Sequence, residues 1–157
     1  MEKKYELVAW TRNVTDSENA RVFMIPSVRN EMCHVYIAEC VACREELEDN
    51  DGYLSLQLAR RFVRVYEQSA RFDLLAGDYA WAIRFLLMAA DYCIHDVWMR
   101  TNGELRSEFV RLCEEAIRLA SKHGLECLII SEEGPRRTIG VYRNRLRKDK
   151  GQKKSAI

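Results

Sequence analysis

The sequence predicts an all-α protein, an antiparallel bundle of four to five helices, and three observations carry that expectation. Only 7 Gly and 2 Pro among 157 residues leave few places for turns, which favours long helices over many short strands. Apolar residues recur at spacings of three and four in successive windows, the period of one helical face. A chain of this length buries roughly two thirds of its unfolded surface, so it needs no metal or disulfide staple.

Residues 1–26 carry the weakest pattern. The run "YELVAW" reads as a short strand or a helical turn, and Thr15 with Glu18 fits a capping box, in which each side chain satisfies an orphan backbone amide. A short first helix is therefore expected over 16–24, closed by Pro26, because proline disfavours a helical residue before it. From Ser27, a favourable N-cap, Val28, Met32, Val35, Tyr36, Cys40, Cys43 and Leu47 form the inward stripe of an amphipathic helix. That helix should end at "EDNDG", where Asn50, Asp51 and Gly52 supply turn chemistry.

The next helix is expected over 53–75, with Leu58, Phe62, Val65, Tyr66 and Phe72 on one face and Arg60, Arg61, Arg64, Glu67 and Arg71 mostly on the other. Gly77 breaks it and Asp78 caps a third helix, 79–99. Here Ile83, Leu86, Ala90, Cys93 and Val97 form one apolar stripe and Trp81, Phe85, Met88, Tyr92 and Met99 a second. Only a narrow polar strip of Arg84, Asp91 and His95 remains, so this helix must be covered on two sides and should centre the core.

After the turn "RTNG", helix 104–123 directs Leu105, Phe109, Leu112, Ala116 and Leu119 inward. Glu114 and Arg118 stand in the favourable i, i+4 order on its charged outer face. Gly124 and Leu125 form its expected C-terminal cap, with Lys122 and His123 at the negative end of the helix dipole. Beyond it, "CLIIS" and "RRTIGVY" either pair as a hairpin or give way to a last basic helix with Pro135 in its first turn. Residues 148–157, polar and interrupted by Gly151, are expected to be disordered.

The stretch "GDYAWAIRFLLMAA" resembles helix B of a tetratricopeptide repeat, with Gly77, Tyr79, Ala82, Leu86 and Ala89 at that motif's glycine, aromatic, alanine, bulky and small positions. Tyr66 and Ala70 fill two helix A positions, while Asp73 stands where an aromatic is usual, so the resemblance covers about one repeat, residues 66–89. "AIR" recurs 34 residues on, from Ala82–Arg84 to Ala116–Arg118, the period of that family. The resemblance implies a superhelical groove that binds a peptide or a partner protein. A non-repeating bundle meets the same burial demand.

Charge divides the chain. Residues 136–157 hold nine Lys or Arg against Asp149 alone, net +8, while residues 1–135 hold sixteen against twenty-three acids, net −7. The chain thus reads as an acidic helical body with a basic C-terminal segment. In that segment Arg136, Arg137, Arg143, Arg145, Arg147, Lys148 and Lys150 are candidate phosphate contacts, and Tyr142 a candidate to stack on an exposed base. The competing reading is intramolecular, the acidic body attracting the segment.

Six cysteines are too sparse for a disulfide scaffold and fit a reducing compartment. "CHVYIAECVAC" groups Cys33, His34, Cys40 and Cys43, but a structural zinc needs four convergent ligands. Cys40 and Cys43 lie on the predicted inward stripe, Cys33 is offset and His34 points elsewhere, which favours core cysteines. Cys93 with His95, and His123 with Cys127, are the other close pairs. Cys93 sits on an apolar stripe beside Asp91 and Asp96, a poor setting for a thiolate. The chain has no GxxxxGK[ST], GxGxxG, HExxH, GxSxG or paired CxxC.

Lys3 and Lys4 precede only the short apolar run "LVAW", too brief for a signal peptide, and no window approaches the roughly 18 apolar residues of a membrane span. The expectation is a cytoplasmic helical adaptor or scaffold that binds another protein or peptide, without catalysis, cofactor or membrane contact. The alternatives are a nucleic-acid accessory protein anchored by its basic segment, and a Cys/His metal protein or enzyme.

Overall fold

The computed structural model describes residues 26–94, 103–131 and 137–155. Five helices and one two-stranded sheet stand among them: α1 (Pro26–Asp49), α2 (Leu56–Ala76), α3 (Tyr79–Cys93), α4 (Arg106–Lys122), β1 (Ile129–Ser131), β2 (Arg137–Thr138) and α5 (Ile139–Ser155). The protein is an all-α antiparallel bundle. No helix of the described residues is long and apolar enough to cross a membrane. The expected helix 16–24, and His95, Val97, Met99 and Pro135, lie outside the described residues.

Pro26 opens α1 where the sequence placed Ser27 as its cap. The first helical turn suits proline, whose fixed φ is already helical and whose missing N–H has no intrahelical partner there. The helix expected from residue 53 starts at Leu56, because the Ser55 hydroxyl accepts from the Leu58 amide at 3.1 Å and caps it. Asp78 caps α3 in the same way, accepting from the Trp81 amide at 3.2 Å. At the far end of α4 the Leu125 amide donates to the Ala120 carbonyl at 2.8 Å, the expected cap at Gly124–Leu125.

The C-terminal segment forms the hairpin alternative, and a basic helix follows it from Ile139, later than the Pro135 start that the other alternative required. Ile129 pairs with Thr138 and Ser131 with Arg137, antiparallel, and the helix follows directly. α5 continues to Ser155, through the polar stretch from residue 148 for which disorder was expected. Leu146 and Asp149 are both buried, and Asp149 pairs with Arg106 of α4.

The core centres on α3, whose Ile83, Leu86, Leu87, Ala89, Ala90 and Cys93 are buried. α2 and α4 each pack on α3 and are linked to one another by ion pairs, Arg71 with Glu115 and Arg111 with Glu67. The second stripe of α3 is covered only in part: Phe85, Met88 and Tyr92 are half-buried, and Trp81 is 46% exposed. On that side Phe62 and Tyr92 stack at 4.1 Å between ring centroids. α1 packs on α2 through Tyr36 edge-on to Phe72, and Arg61 of α2 pairs with Glu39 at 3.1 Å and with Glu46.

Gly77 has φ +76 and its Cβ position meets nothing within 4 Å, so Gly77→Ala loses only backbone freedom there. It should destabilise the fold by about 1 kcal/mol in urea unfolding. Gly140 lies in α5, where an added Cβ would sit at an ordinary 3.6 Å from the Thr138 hydroxyl. Gly140→Ala should instead stabilise by about 0.5 kcal/mol. Equal effects at the two positions would contradict this backbone assignment.

Candidate functional site

Two surfaces stand out, a docked basic helix and an open apolar groove. The docked face of α5 carries Ile139, Tyr142, Leu146 and Asp149, spaced three, four and three residues apart. The short sheet sets its approach: Ile130 is buried, and Arg84 of α3 donates through Nε to the Ile129 carbonyl at 3.1 Å. The carboxylate of Asp91, one turn from the end of α3, then receives three donors. These are Arg137, the Tyr142 hydroxyl at 2.9 Å and Arg145 at 3.1 Å. The Arg145 guanidinium also lies 5.3 Å from the Tyr142 ring centroid. Further along, Arg143 pairs with Glu126 at 3.3 Å, and hydrogen bonds from Ser121 and Arg143 hold that carboxyl below its usual range.

The candidate phosphate contacts therefore separate. Arg137, Arg143 and Arg145 are engaged by carboxylates of the body. Tyr142 is fully buried, which corrects its candidacy as a base-stacking residue: no base can reach its ring. Its hydroxyl proton is held more tightly than usual, first by burial and then by the charge of Asp91. Arg147 and Lys148 are exposed, while Arg136 and the side chain of Lys150 lie outside the described residues. Sequence reasoning placed Asp91 only in a polar strip; a lone acid in an apolar helix, facing a basic segment, was the available signal.

The cysteine cluster is dispersed around α1. Cys43 is buried and donates weakly to Glu39 at 3.8 Å, Cys40 is half-buried, His34 is exposed, and the Cys33 side chain lies outside the described residues. Among the described residues no three His, Cys, Asp or Glu side chains are placed to hold a metal ion. Burial pushes the Cys43 thiol up to about 11 and the Cys93 thiol up to about 12, so both are protonated core groups at neutral pH.

The groove lies between α1 and α3, over α2, and encloses about 380 Å³. Tyr36, Ile37, Cys40, Val41 and Arg44 line it from α1, Tyr66 and Phe72 from α2, and Phe85 and Met88 from α3. Ile37 is 61% and Val41 46% exposed, both off the inward stripe of α1. Arg44 reaches over the groove to the Tyr66 hydroxyl at 3.5 Å. The sequence reading missed Ile37 and Val41; their signal was a pair of β-branched residues outside the inward periodicity. Chemically, the groove offers apolar contact, with the Arg44 guanidinium, the Asp73 carboxylate and the Ser69 hydroxyl also in its lining, an arrangement suited to binding.

The unfolded chain releases the Cys93 proton near 9.0, the folded chain only near 12. Unfolding therefore releases a proton within that window, and stability falls as pH rises, by about 1.4 kcal/mol per pH unit for such a thiol. Cys93→Ala should flatten the loss of urea-unfolding free energy between about pH 9.5 and 11 by about that slope. An unchanged slope would contradict a protonated, buried thiol. Compared with protein-family models, curated proteins and solved structures, the chain matches none.

Proposed function

We propose that this protein is a helical protein-interaction module, an adaptor or scaffold, whose contact face is the groove between α1 and α3. One observation carries the reading: Ile37 and Val41 stand exposed at the edge of a 380 Å³ apolar groove whose walls are already formed by three packed helices. Soluble proteins seldom leave large β-branched side chains grouped beside a preformed apolar cleft unless another surface covers them. Covering each one yields about 1 to 2 kcal/mol, since each is only half exposed or slightly more.

The α2–α3 hairpin supports a tetratricopeptide-like reading of this module. Gly77 supplies the left-handed turn between the helices, and Ala82, Ala89 and Ala90 are fully buried, so neighbouring helices approach α3 closely. The basic segment fits the same reading, because three of its cations are held on the body through Asp91 and Glu126.

A photo-crosslinking amino acid placed at Val41, with one at exposed Asn144 of α5 as the control, tests the proposal in living cells. The expected outcome is a discrete covalent adduct with one polypeptide from position 41 and none from position 144. No adduct from position 41, or the same adducts from both, would refute the groove as a contact face.

A further inference from the structure

Resting on that reading, we propose that the groove is closed within the chain itself, by the apolar run Leu7–Trp10, until a partner displaces it. Residues 1–25 lie outside the described residues and lead directly into Pro26, the first residue of α1, so they are tethered to one wall of the groove. They hold two apolar runs, Leu7–Trp10 and Val22–Ile25. Reach separates the two. Val41 stands about 22 Å along α1 from Pro26, whereas Val22, four residues from Pro26, extends only about 14 Å from it. Sixteen residues lead from Trp10 to Pro26, and even with the helix expected over 16–24 they span up to about 40 Å. A tether of that length presents the run to the groove at about millimolar effective concentration.

Size and charge match along the groove. From Tyr36 to Arg44 its α1 wall runs about 12 Å, and the run Leu7–Trp10 covers about 10 Å when extended. The two ends of the groove carry opposite charge. Arg44 reaches the Tyr66 hydroxyl at one end, and Asp73, next to the Phe72 ring that meets Tyr36, stands at the other. The run is flanked by opposite charges as well, Glu6 before it and Arg12 after it. Pro26 lies beyond the Tyr36 end, so a chain returning from it enters there with Arg12 first and runs antiparallel to α1. That direction sets Arg12 toward Asp73 and Glu6 toward Arg44, while the parallel direction sets like charge on like. Lys3 and Lys4 then fall beyond Arg44, where Glu45 and Glu48 stand exposed, four residues past Val41 and Arg44.

The photo-crosslinking amino acid at Val41, irradiated in the dilute purified full chain and mapped by mass spectrometry, gives the test. The expected product has the mass of a single chain, with position 41 joined to the peptide spanning residues 5–12, and position 144 gives no such link. Leu7→Asp with Trp10→Asp should lower the yield of that link at least about tenfold. Glu6→Arg with Arg12→Glu keeps the apolar run, reverses the charges beside it, and should lower the yield about fivefold. In cells, Leu7→Asp with Trp10→Asp should raise the yield of the partner adduct from position 41 at least about threefold, because the internal competitor is gone. No internal link, a link indifferent to both pairs of substitutions, or a partner adduct unchanged by the loss of the run would each overturn the proposal. A partner adduct without an internal link overturns this inference alone and leaves the groove a contact face. An internal link with no partner adduct from either chain overturns the contact-face reading and leaves a groove closed by its own chain.

Discussion

A part-buried carboxylate on the most apolar of the described helices is the constraint on which the rest of the structure turns. α3 buries residues toward both α2 and α4, so it cannot rotate to release Asp91 into water without exposing Leu86, Leu87 or Ala90. Because about a fifth of its side chain stays exposed, stripping this carboxylate of its partners costs about 1 to 3 kcal/mol. The groups that satisfy it come from β2 and α5: Arg137, Tyr142 and Arg145. The position of the C-terminal helix is thereby tied to one side chain near the end of the central helix, with Ile139, Tyr142 and Leu146 packing in beside it.

This arrangement resolves the division of charge along the chain from within. The acidic body and the basic segment meet at Asp91, at Glu126 and, with signs exchanged, at Arg106 with Asp149. Once those pairs are made, the apolar groove lined by α1, α2 and α3 remains among the described residues. The same helix, α3, serves both: Asp91 near its end meets α5, and Phe85 and Met88 line the groove.

Much of the helical scaffold was legible because burial writes a period into the sequence. The stripes of α2 and α4, the Gly77–Asp78 break and the Gly124–Leu125 cap follow from local rules of packing and hydrogen bonding. The docking of α5 was not legible, because the carboxylate that an arginine meets depends on tertiary approach rather than on neighbours in sequence. Tyr142 shows the difficulty: an aromatic among arginines reads equally as a base-stacking residue or as an anchor, and only its burial decides. Residues 148–155 are polar in composition yet continue the helix, which is anchored up to Asp149 by burial of Leu146 and Asp149, a tertiary contact that composition does not carry. Ile37 and Val41 escaped notice because one amphipathic stripe already accounted for α1, and a second, exposed stripe has meaning only beside the groove wall that α3 provides.

The coupling between Asp91 and the cation nearest the sheet tests the central claim most directly. A double-mutant cycle of Asp91→Asn and Arg137→Gln, read by urea unfolding, isolates the interaction from the effect of each substitution alone. The account predicts a coupling energy of about 1 to 3 kcal/mol, well above that of an exposed surface pair. Strict additivity, with no coupling, would show that α5 is held by its apolar face alone and that Asp91 does not position it.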